Sequence, residues 1–300
     1  MSNQVIVFGG SGFLGSHVAD ALSDGGYNVT VFDQRPSPYL RSNQTMFVGD
    51  ILNTNQVRKA MEGQDIVYNF AGLADLDRAA DKPLETVSKN IVGTVNLLDA
   101  AVEFKVKRFV YASTIYVYSR LGGFYRCSKQ ATELFIEEYN NCYELEFTVL
   151  RYGSLYGPRA NEGNGIRRFL YQGLTESEIT YPGTGNEVRE YVNVKDAARL
   201  SVDILAPEYK NQHIVITGHN SMKSREMLEM IQEMLNQKVL LKFSKTTNNF
   251  HYTLTPYSFT PKIGSKLISN MYTDMGQGLL ECLQEISYDI GQAKKQTEEN

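Results

Sequence analysis

Short, mostly apolar runs alternate with segments of helical periodicity through the first 220 residues of the chain. The runs are rich in valine, isoleucine, leucine and aromatic side chains, which favours strands buried on both faces. They lie at Val5–Phe8, Asn28–Asp33, Met46–Val48, Ile66–Phe70, Phe109–Ala112, Phe147–Leu150 and Ile214–Ile216. The alternation predicts an α/β fold in which helices cover both faces of a doubly wound parallel sheet.

The pattern loosens after residue 152, where glycine and proline interrupt the periodicity. Helices are predicted at Ile166–Leu174 and Ser224–Leu235 and a strand at Tyr191–Val194, while Lys238–Asn300 is less regular and ends in a charged, frayed tail. We therefore expect a smaller, interleaved C-terminal domain that binds substrate. The expected division is residues 1–152 plus about 190–218 for the sheet domain, and about 153–189 plus 219–300 for the smaller one.

Composition excludes several classes of protein. The 300 residues are 42% hydrophobic and 21% charged, with a net charge of −4, so nothing indicates a surface for nucleic acid. The three cysteines lack C-x-x-C spacing, which disfavours a disulfide framework or a zinc site, and we expect no metal. No signal segment and no apolar run of about 18 residues is present, so we expect a cytoplasmic protein without a membrane span.

A glycine-rich turn follows the first predicted strand and opens a helix. Its glycines are Gly9, Gly12 and Gly15, with Ser11, Phe13 and Leu14 between them. Glycines at this place permit a tight turn and let the helix N-terminus face a diphosphate, as in Rossmann-type dinucleotide sites. Asp33 ends the second strand, where a carboxylate can bind ribose hydroxyls and repel a 2′-phosphate. The turn and Asp33 therefore predict a dinucleotide, NAD rather than NADP, with the nearby Arg35 as the counterargument.

Three side chains suited to oxidation of an alcohol lie near the fifth predicted strand. Thr114 ends that strand, and Tyr125 and Lys129 follow in a helical segment. Residues four apart share a helix face, so Lys129 is expected beside Tyr125, where it would lower a phenol pKa that is ordinarily about 10. Such a phenolate would be a usable general base. Tyr191 and Lys195 have the same spacing, but their segment alternates like a strand and would place the two side chains apart.

The motifs occur in an order that is more specific than any one of them. They are the glycine turn, Asp33, Asn69–Gly72, Asn90, Thr114, Tyr125, Lys129 and Arg151–Pro158. With this set, the chain resembles the extended short-chain dehydrogenase/reductases, and among them the nucleotide-sugar epimerase/dehydratase group. The resemblance implies bound NAD, a nucleoside-diphosphate sugar as substrate, and a homodimer formed through helices near residues 90–104 and 125–141.

The resemblance also implies roles for particular residues. Thr114 would hydrogen-bond the sugar hydroxyl, Tyr125 would act as the base, Lys129 would hold the nicotinamide ribose, and Arg189 would meet the substrate diphosphate, which suits its bidentate fork. The expected cofactor contacts are Gly9, Ser11, Gly12, Phe13, Leu14, Gly15, Asp33, Asp50, Ile51, Phe70, Ala71, Gly72, Asn90, Tyr125, Lys129 and Tyr152. The expected substrate contacts are Thr114, Tyr116, Ser154 and Arg189. For Asp50 and Asn90, a helix cap remains an open alternative.

The residues after Thr114 bear on the reaction. The resembling dehydratases have Asp-Glu there, and the related decarboxylases have Glu at the second position, whereas this chain has Ile115 and Tyr116. Without that carboxylate, 4,6-elimination loses its acid and base, which favours a 4-epimerase. Release of the 4-keto sugar by a dehydrogenase or reductase, and reduction of a non-nucleotide carbonyl compound, remain alternatives. A binding protein on the same fold is disfavoured, because it needs no catalytic set.

Two departures from the family pattern indicate an unusual pocket. The link between Thr114 and Tyr125, residues 115–124, is shorter than the acidic loop that the resembling enzymes carry. Ser154 also replaces an asparagine of their Arg-Tyr-Phe-Asn pattern. We expect a pocket that is more open, or a ligand larger than a common hexose.

Overall fold

The computed structural model describes residues 3–236, 238–244, 253, 265–268 and 271–298. The chain divides into two compact units, each built from several segments. The first unit comprises residues 1–152, 197–216 and 256–268, and the second comprises residues 153–196, 217–255 and 269–300.

The first unit contains an eight-stranded sheet in which every neighbouring pair is parallel. Its strands are β1 (Gln4–Phe8), β2 (Asn28–Asp33), β3 (Gln44–Val48), β4 (Ile66–Asn69), β5 (Arg108–Thr114), β6 (Phe147–Tyr152), β10 (Gln212–Ile216) and β13 (Ser265–Leu267). The spatial order is β3-β2-β1-β4-β5-β6-β10-β13, so the chain reverses its direction of growth between β1 and β4. The predicted doubly wound parallel sheet is thus confirmed, and the reversal marks the edge where such sheets bind ligands.

Helices connect these strands, and most of them bury apolar side chains in the core of this unit. They are α1 (Phe13–Asp24), α2 (Thr54–Met61), α3 (Leu76–Asp81), α4 (Pro83–Val87), α5 (Gly93–Glu103), α6 (Gly123–Tyr143) and most of α8 (Val194–Asp203). A π-helical turn at Ser88–Val92 joins α4 to α5, and a 3₁₀ turn at Ile115–Tyr118 follows β5. The core under these helices includes Phe8, Leu97, Phe109, Ile136 and Val149, all nearly inaccessible to solvent. No helix in the described ranges is both long and apolar enough to cross a bilayer.

The second unit has two small sheets and three helices among its described residues. In one sheet β9 (Val188–Asn193) lies between β7 (Ser154–Tyr156), to which it is parallel, and β11 (Ser221–Lys223), to which it is antiparallel. The other pairs β8 (Glu178–Pro182) with β12 (Leu240–Ser244). The helices are α7 (Gly165–Thr175), α9 (Ser224–Met234) and α10 (Met275–Glu298), and their apolar faces share a core that includes Ile166, Leu228 and Leu279.

Three expectations for the C-terminal half need correction. Residues 190–196 belong to the second unit, because β9 pairs with β7 and β11 and not with the large sheet. Val194 begins a helix and does not extend the strand. The tail expected to be irregular contains a helix of 24 residues, because Leu279, Cys282 and Ile286 recur at helical spacing and are buried. The tail also returns β13 to the large sheet beside β10.

Candidate active site

A cavity of about 200 Å³ lies at the carboxyl ends of β1, β2 and β4, where the strand order reverses. Seven of the predicted cofactor contacts line it together: Gly9, Gly12, Asp33, Ile51, Phe70, Ala71 and Gly72. Four further residues line it that sequence reasoning missed: Phe32, Gln34, Gly49 and Lys89. Phe32, Gln34 and Gly49 adjoin predicted residues at strand ends and could have been included on that ground. Lys89 carried no sequence signal, because it lies between helices in a turn whose geometry the sequence does not reveal.

The backbone of the glycine turn leaves no room for side chains. Gly9 has φ +78°, and a Cβ there would lie 2.6 Å from the backbone nitrogen of Ala71. A Cβ on Gly15 would collide with the carbonyl oxygen of Gly9. Gly12 precedes the first turn of α1, and no side chain among the described residues caps that helix. The cradle therefore fits a diphosphate approaching the N-terminus of α1, as NAD requires.

Asp33 and the turn are joined directly. The backbone N–H of Ser11 donates to the Asp33 carboxylate (3.1 Å), and the Ser11 hydroxyl donates to the carbonyl oxygen of Arg35 (3.0 Å). These bonds tie the glycine turn to the end of β2 and present the Asp33 carboxylate to the cavity. Arg35 is exposed and is not among the residues that line it.

Several predicted cofactor contacts do not line this cavity. Ser11, Phe13, Leu14 and Gly15 form the turn and the start of α1 behind its surface. Asp50 accepts a hydrogen bond from the N–H of Leu52 (2.9 Å), while the cap of α2 is Asn53, so Asp50 is not that cap and its contact with the adenine remains a prediction. Tyr152 is buried, and its hydroxyl hydrogen-bonds the Ser201 hydroxyl (2.6 Å).

Asn90 is a buried support for the cavity wall and not part of its lining. It is 1% exposed, its amide donates to the Leu73 carbonyl (3.0 Å) and the Ser128 hydroxyl (2.9 Å), and its oxygen accepts from the N–H of Leu73 (2.6 Å). A Cβ on the neighbouring Gly72 would lie 2.6 Å from that oxygen. Asn90 thus fixes the loop after β4 against α6, the helix that carries Tyr125 and Lys129.

The predicted catalytic residues are brought together at the end of β5. Tyr125 and Lys129 lie one turn apart on α6 and are buried, and the nearby Thr114 hydroxyl acts to lower the pKa of Tyr125. Tyr125 also packs against Leu73, which adjoins the cavity residue Gly72. The second Tyr-x-x-x-Lys copy is divided between β9 and α8, and Lys195 pairs with Glu281 (2.6 Å). The prediction that only the first copy lies on one helix is confirmed.

The prediction that Lys129 lowers the pKa of Tyr125 is wrong. Burial raises the pKa of Tyr125 to about 12, and the hydrogen bond with Thr114 offsets only part of that rise. The Lys129 ammonium instead donates to the carbonyl oxygen of Ala112 (2.7 Å), and it lies 5.8 Å from the centre of the Tyr125 ring. Burial also lowers the pKa of Lys129 to about 8, although the charge of Glu133 acts in the opposite direction. Tyr125 is therefore a neutral phenol at pH 7.

A buried ion pair lies one helical turn beyond Lys129. The Glu133 carboxylate accepts two hydrogen bonds from Arg151, at 2.8 and 3.1 Å, and a third from the Ser113 hydroxyl (2.5 Å). Arg151 also donates to the Tyr118 hydroxyl (2.6 Å) and lies over its ring. The pair therefore joins α6, the end of β5, the 3₁₀ turn and β6 around Thr114. Sequence reasoning used Arg151 only as part of a motif and missed Glu133, which follows Lys129 at helical spacing.

The residues after Thr114 provide no acid at the site. Ile115 is 1% exposed, and the Tyr116 ring packs edge-on to the Tyr125 ring, with centroids 6.4 Å apart. Gly122 closes the short link with φ +102° and faces the Tyr116 ring, which a Cβ would approach to 2.8 Å. The Tyr116 ring thus packs beside the phenol that is predicted to be catalytic.

The predicted substrate residues of the second unit lie on neighbouring strands. Ser154 begins β7 and pairs in register with Tyr191 of β9, the strand that also carries Arg189. Arg189 is 9% exposed, and its guanidinium donates to the carbonyl oxygen of Val188 (3.1 Å). Their contact with a substrate remains a prediction. Within the described ranges, no group of three or more His, Cys, Asp and Glu side chains could hold a metal ion.

Proteins of similar sequence span most of this chain. A UDP-N-acetyl-alpha-D-glucosaminuronate decarboxylase of Bacillus cytotoxicus is 26% identical over 261 residues, 78% of this chain and 81% of its own length. A UDP-glucuronate 4-epimerase of Thermodesulfobacterium geofontis is 26% identical over 274 residues, 82% of this chain and 84% of its own length. Sequence identity therefore does not decide between decarboxylation and 4-epimerisation.

Solved structures share the fold. An epimerase from Methanothermobacter thermautotrophicus has a TM-score of 0.87 at 22% identity, covering 98% of this chain and 95% of that one. A UDP-glucuronic acid 4-epimerase from Bacillus cereus, in complex with UDP-glucuronic acid and NAD, has a TM-score of 0.82 at 22% identity, covering 95% of this chain and 99% of that one. The sequence model of the NAD dependent epimerase/dehydratase family matches residues 5–218, which include the glycine turn, Asp33, Thr114, Tyr125 and Lys129. The chain belongs to the NAD dependent epimerase/dehydratase family.

Proposed function

We propose that this protein oxidises a nucleoside-diphosphate sugar at C4 to a 4-keto intermediate and returns the hydride to the opposite face, so that it acts as a 4-epimerase. The observation that carries the proposal is the grouping of Thr114, Tyr125 and Lys129 at the end of β5, next to a loop that lines the dinucleotide cavity. NAD is the cofactor, in agreement with the family and with the side-chain-free cradle at Gly9 and Gly15.

The three residues supply the proton chemistry. The Thr114 hydroxyl lies near enough to the Tyr125 phenol to lower its pKa, so a sugar hydroxyl entering there would meet both oxygens. Tyr125 takes the hydroxyl proton when C4 is oxidised and gives it back when the ketone is reduced. When bound, NAD⁺ supplies the hydride acceptor and a positively charged ring, and a positive charge near a phenol lowers its pKa. Lys129, on the same helix face, is the residue that we assign to the nicotinamide ribose.

The residues beside Thr114 favour epimerisation over elimination. A dehydratase needs an acid and a base in addition to Tyr125, but Ile115 and Tyr116 provide neither carboxylate. Glu133 is nearby in sequence, but it is fully buried and paired with Arg151. Return of hydride to the other face requires only that the keto sugar turn within the pocket, so no further side chain is needed.

A UDP-sugar is the substrate class that the comparisons support. The decarboxylase of Bacillus cytotoxicus and the 4-epimerase of Thermodesulfobacterium geofontis are both named for UDP-sugars. Arg189 and Ser154 are the side chains that we assign to its diphosphate and sugar, which makes the second unit the substrate domain and the first unit the NAD domain. Replacement of Arg189 by methionine should raise KM and leave kcat within about twofold, because it removes binding shared by ground state and transition state.

The reaction is tested with purified protein, NAD and a panel of UDP-, GDP-, CDP- and dTDP-sugars, with products identified by NMR. We expect a C4 epimer and no net accumulation of reduced cofactor. Accumulated reduced cofactor with a released keto sugar would instead establish a 4-dehydrogenase, and a 6-deoxy-4-keto product or loss of CO₂ would refute the assignment.

The role of Tyr125 has a matched control on the same helix. Tyr125→Phe should reduce turnover at least 100-fold while NAD still binds, because general acid–base catalysis contributes about that much or more. Tyr139→Phe removes a phenol that hydrogen-bonds Asp99 outside the site, and it should leave turnover unchanged. Equal activity of both variants would remove Tyr125 from the mechanism.

A homodimer is supported by exposed apolar side chains on neighbouring helices of the first unit. Leu84 and Val87 on α4, Val92 at the end of the π-helical turn, and Leu134 and Phe135 on α6 are 43–77% exposed, and these helices pack beside one another. A second copy would cover this surface. Leu134→Glu should convert a dimer to a monomer in light scattering, whereas Leu280→Glu, at an exposed position on α10, should not.

A further inference from the structure

Lys89 is the cation among the residues that line the dinucleotide cavity. Among the described residues that line it, only Asp33 and Lys89 have charged side chains, and Asp33 already accepts a hydrogen bond from the N–H of Ser11. A dinucleotide brings a diphosphate with two negative charges into this cavity. The backbone N–H groups of the glycine turn offer only partial positive charge. The Lys89 ammonium at the rim can therefore balance a full negative charge of the diphosphate.

The π-helical turn holds Lys89 in this place. Ser88–Val92 inserts one extra residue per turn between α4 and α5, and such insertions are frequent at functional sites. The next residue, Asn90, is fixed by its bonds to Leu73 and Ser128. The buried hydrogen bonds of Asn90 therefore hold the adjacent Lys89 backbone in place, while the Lys89 side chain is 28% exposed at the cavity.

Glu85 is the partner of Lys89 in this structure, and it is shared. The Glu85 carboxylate lies 2.8 Å from the Lys89 ammonium, 2.8 Å from Arg78 and 3.5 Å from Lys82. The hydrogen bond with Lys89 and these charges hold the pKa of Glu85 at about 2. If Lys89 turned to an anion, Glu85 would keep Arg78 and Lys82, so the exchange would leave no unpaired carboxylate.

We propose that Lys89 binds the diphosphate of the dinucleotide, exchanging Glu85 for the ligand. This inference rests on the proposed function only in that NAD occupies the cavity. Lys89 is thereby a determinant of cofactor affinity that takes no part in proton or hydride transfer.

Titration calorimetry with NAD tests the assignment. Lys89→Gln should weaken NAD binding about tenfold, equivalent to 1.4 kcal/mol, and should flatten the dependence of Kd on salt concentration. Lys89→Arg should restore most of the affinity. Lys82→Gln is the matched control, because Lys82 pairs with the same carboxylate but does not line the cavity, and its Kd should equal that of the unaltered protein.

Two ligand fragments identify the group that Lys89 meets. ADP-ribose, which keeps the diphosphate, should lose about the same tenfold on Lys89→Gln, whereas the affinity for adenosine should not change. An unaltered Kd for NAD in Lys89→Gln, an equal loss in Lys82→Gln, or an equal loss for adenosine would each overturn the proposal. Failure of the unaltered protein to bind NAD would instead refute the assigned cofactor, and normal binding without turnover would refute only the proposed reaction.

Discussion

Replacing Lys129 by methionine should stabilise the fold at pH 7 while abolishing catalysis. Lys129 is 6% exposed, and burial lowers its pKa from 10.5 to about 8. At about 1.4 kcal/mol per pH unit, keeping this side chain charged in the folded protein costs about 3 kcal/mol. Methionine has a similar length and no charge, so it removes that cost. It also loses the hydrogen bond to Ala112, worth about 1 kcal/mol. We expect a net gain of about 2 kcal/mol in the free energy of unfolding.

The gain should change sign with pH. Below about pH 8 both folded and unfolded Lys129 are protonated, so the full cost is present. Between pH 8 and 10.5 the unfolded chain binds more protons than the folded protein, so raising the pH stabilises the unaltered protein. Near pH 10.5 the cost has vanished, and Lys129→Met should be the less stable protein by about 1 kcal/mol, the value of the lost hydrogen bond. Groups common to both proteins cancel in the difference.

Urea unfolding at pH 7 and pH 10.5 measures this difference. Lys242→Met is the control, because Lys242 is 67% exposed and its replacement should change stability by no more than about 0.5 kcal/mol. A Lys129→Met protein that is less stable than the unaltered protein at pH 7, or a stability difference that does not change with pH, would refute the reasoning.

Two further substitutions probe the surroundings of the site. Glu133→Gln leaves Arg151 buried beside a neutral amide and should lower the free energy of unfolding in urea by about 3–5 kcal/mol. Glu138→Gln, at an exposed position on the same helix, should lower it by less than about 0.5 kcal/mol. A similar small effect of both substitutions would show that the buried pair is not stabilising. Gly15→Ala places a methyl group against the Gly9 carbonyl and should weaken NAD binding at least tenfold. Gly291→Ala, where the added methyl group has open space around it, should leave NAD binding unchanged. Normal affinity of Gly15→Ala for NAD would show that the turn can relax.

The parallel sheet and the cofactor cradle were predictable because they depend on local patterns. Each strand of the nucleotide-binding half is a short apolar run, and the glycines, Asp33 and the Tyr125–Lys129 pair are placed by the strand or helix that bears them. The order of these motifs along the chain was enough to locate the edge where they meet. Seven of the cofactor contacts predicted from these motifs and the family resemblance line the cavity.

Features that depend on contacts between distant segments were missed. The strand at Val188 joins a small sheet because of its partners, which alternation in one segment does not reveal. Glu133 of α6 pairs with Arg151, which lies 18 residues away on β6. A lowered pKa of Tyr125 was predicted from helix spacing alone, whereas burial of the phenol raises that pKa. The C-terminal helix did have a periodic signal at Leu279, Cys282 and Ile286, which the surrounding charged residues obscured.

The short link after Thr114 is held on both sides of an exposed middle. Tyr118 at its start is held by Arg151 (2.6 Å), and Arg126 beyond its end donates to the Ser119 carbonyl (3.1 Å). Arg120 and Leu121 project outward between these anchors. We therefore expect residues inserted at 120–121 to leave the Thr114 and Tyr125 hydroxyls in place. The exposed middle of this link is therefore the part of the segment that can vary in length while the packing around Thr114 and Tyr125 is kept.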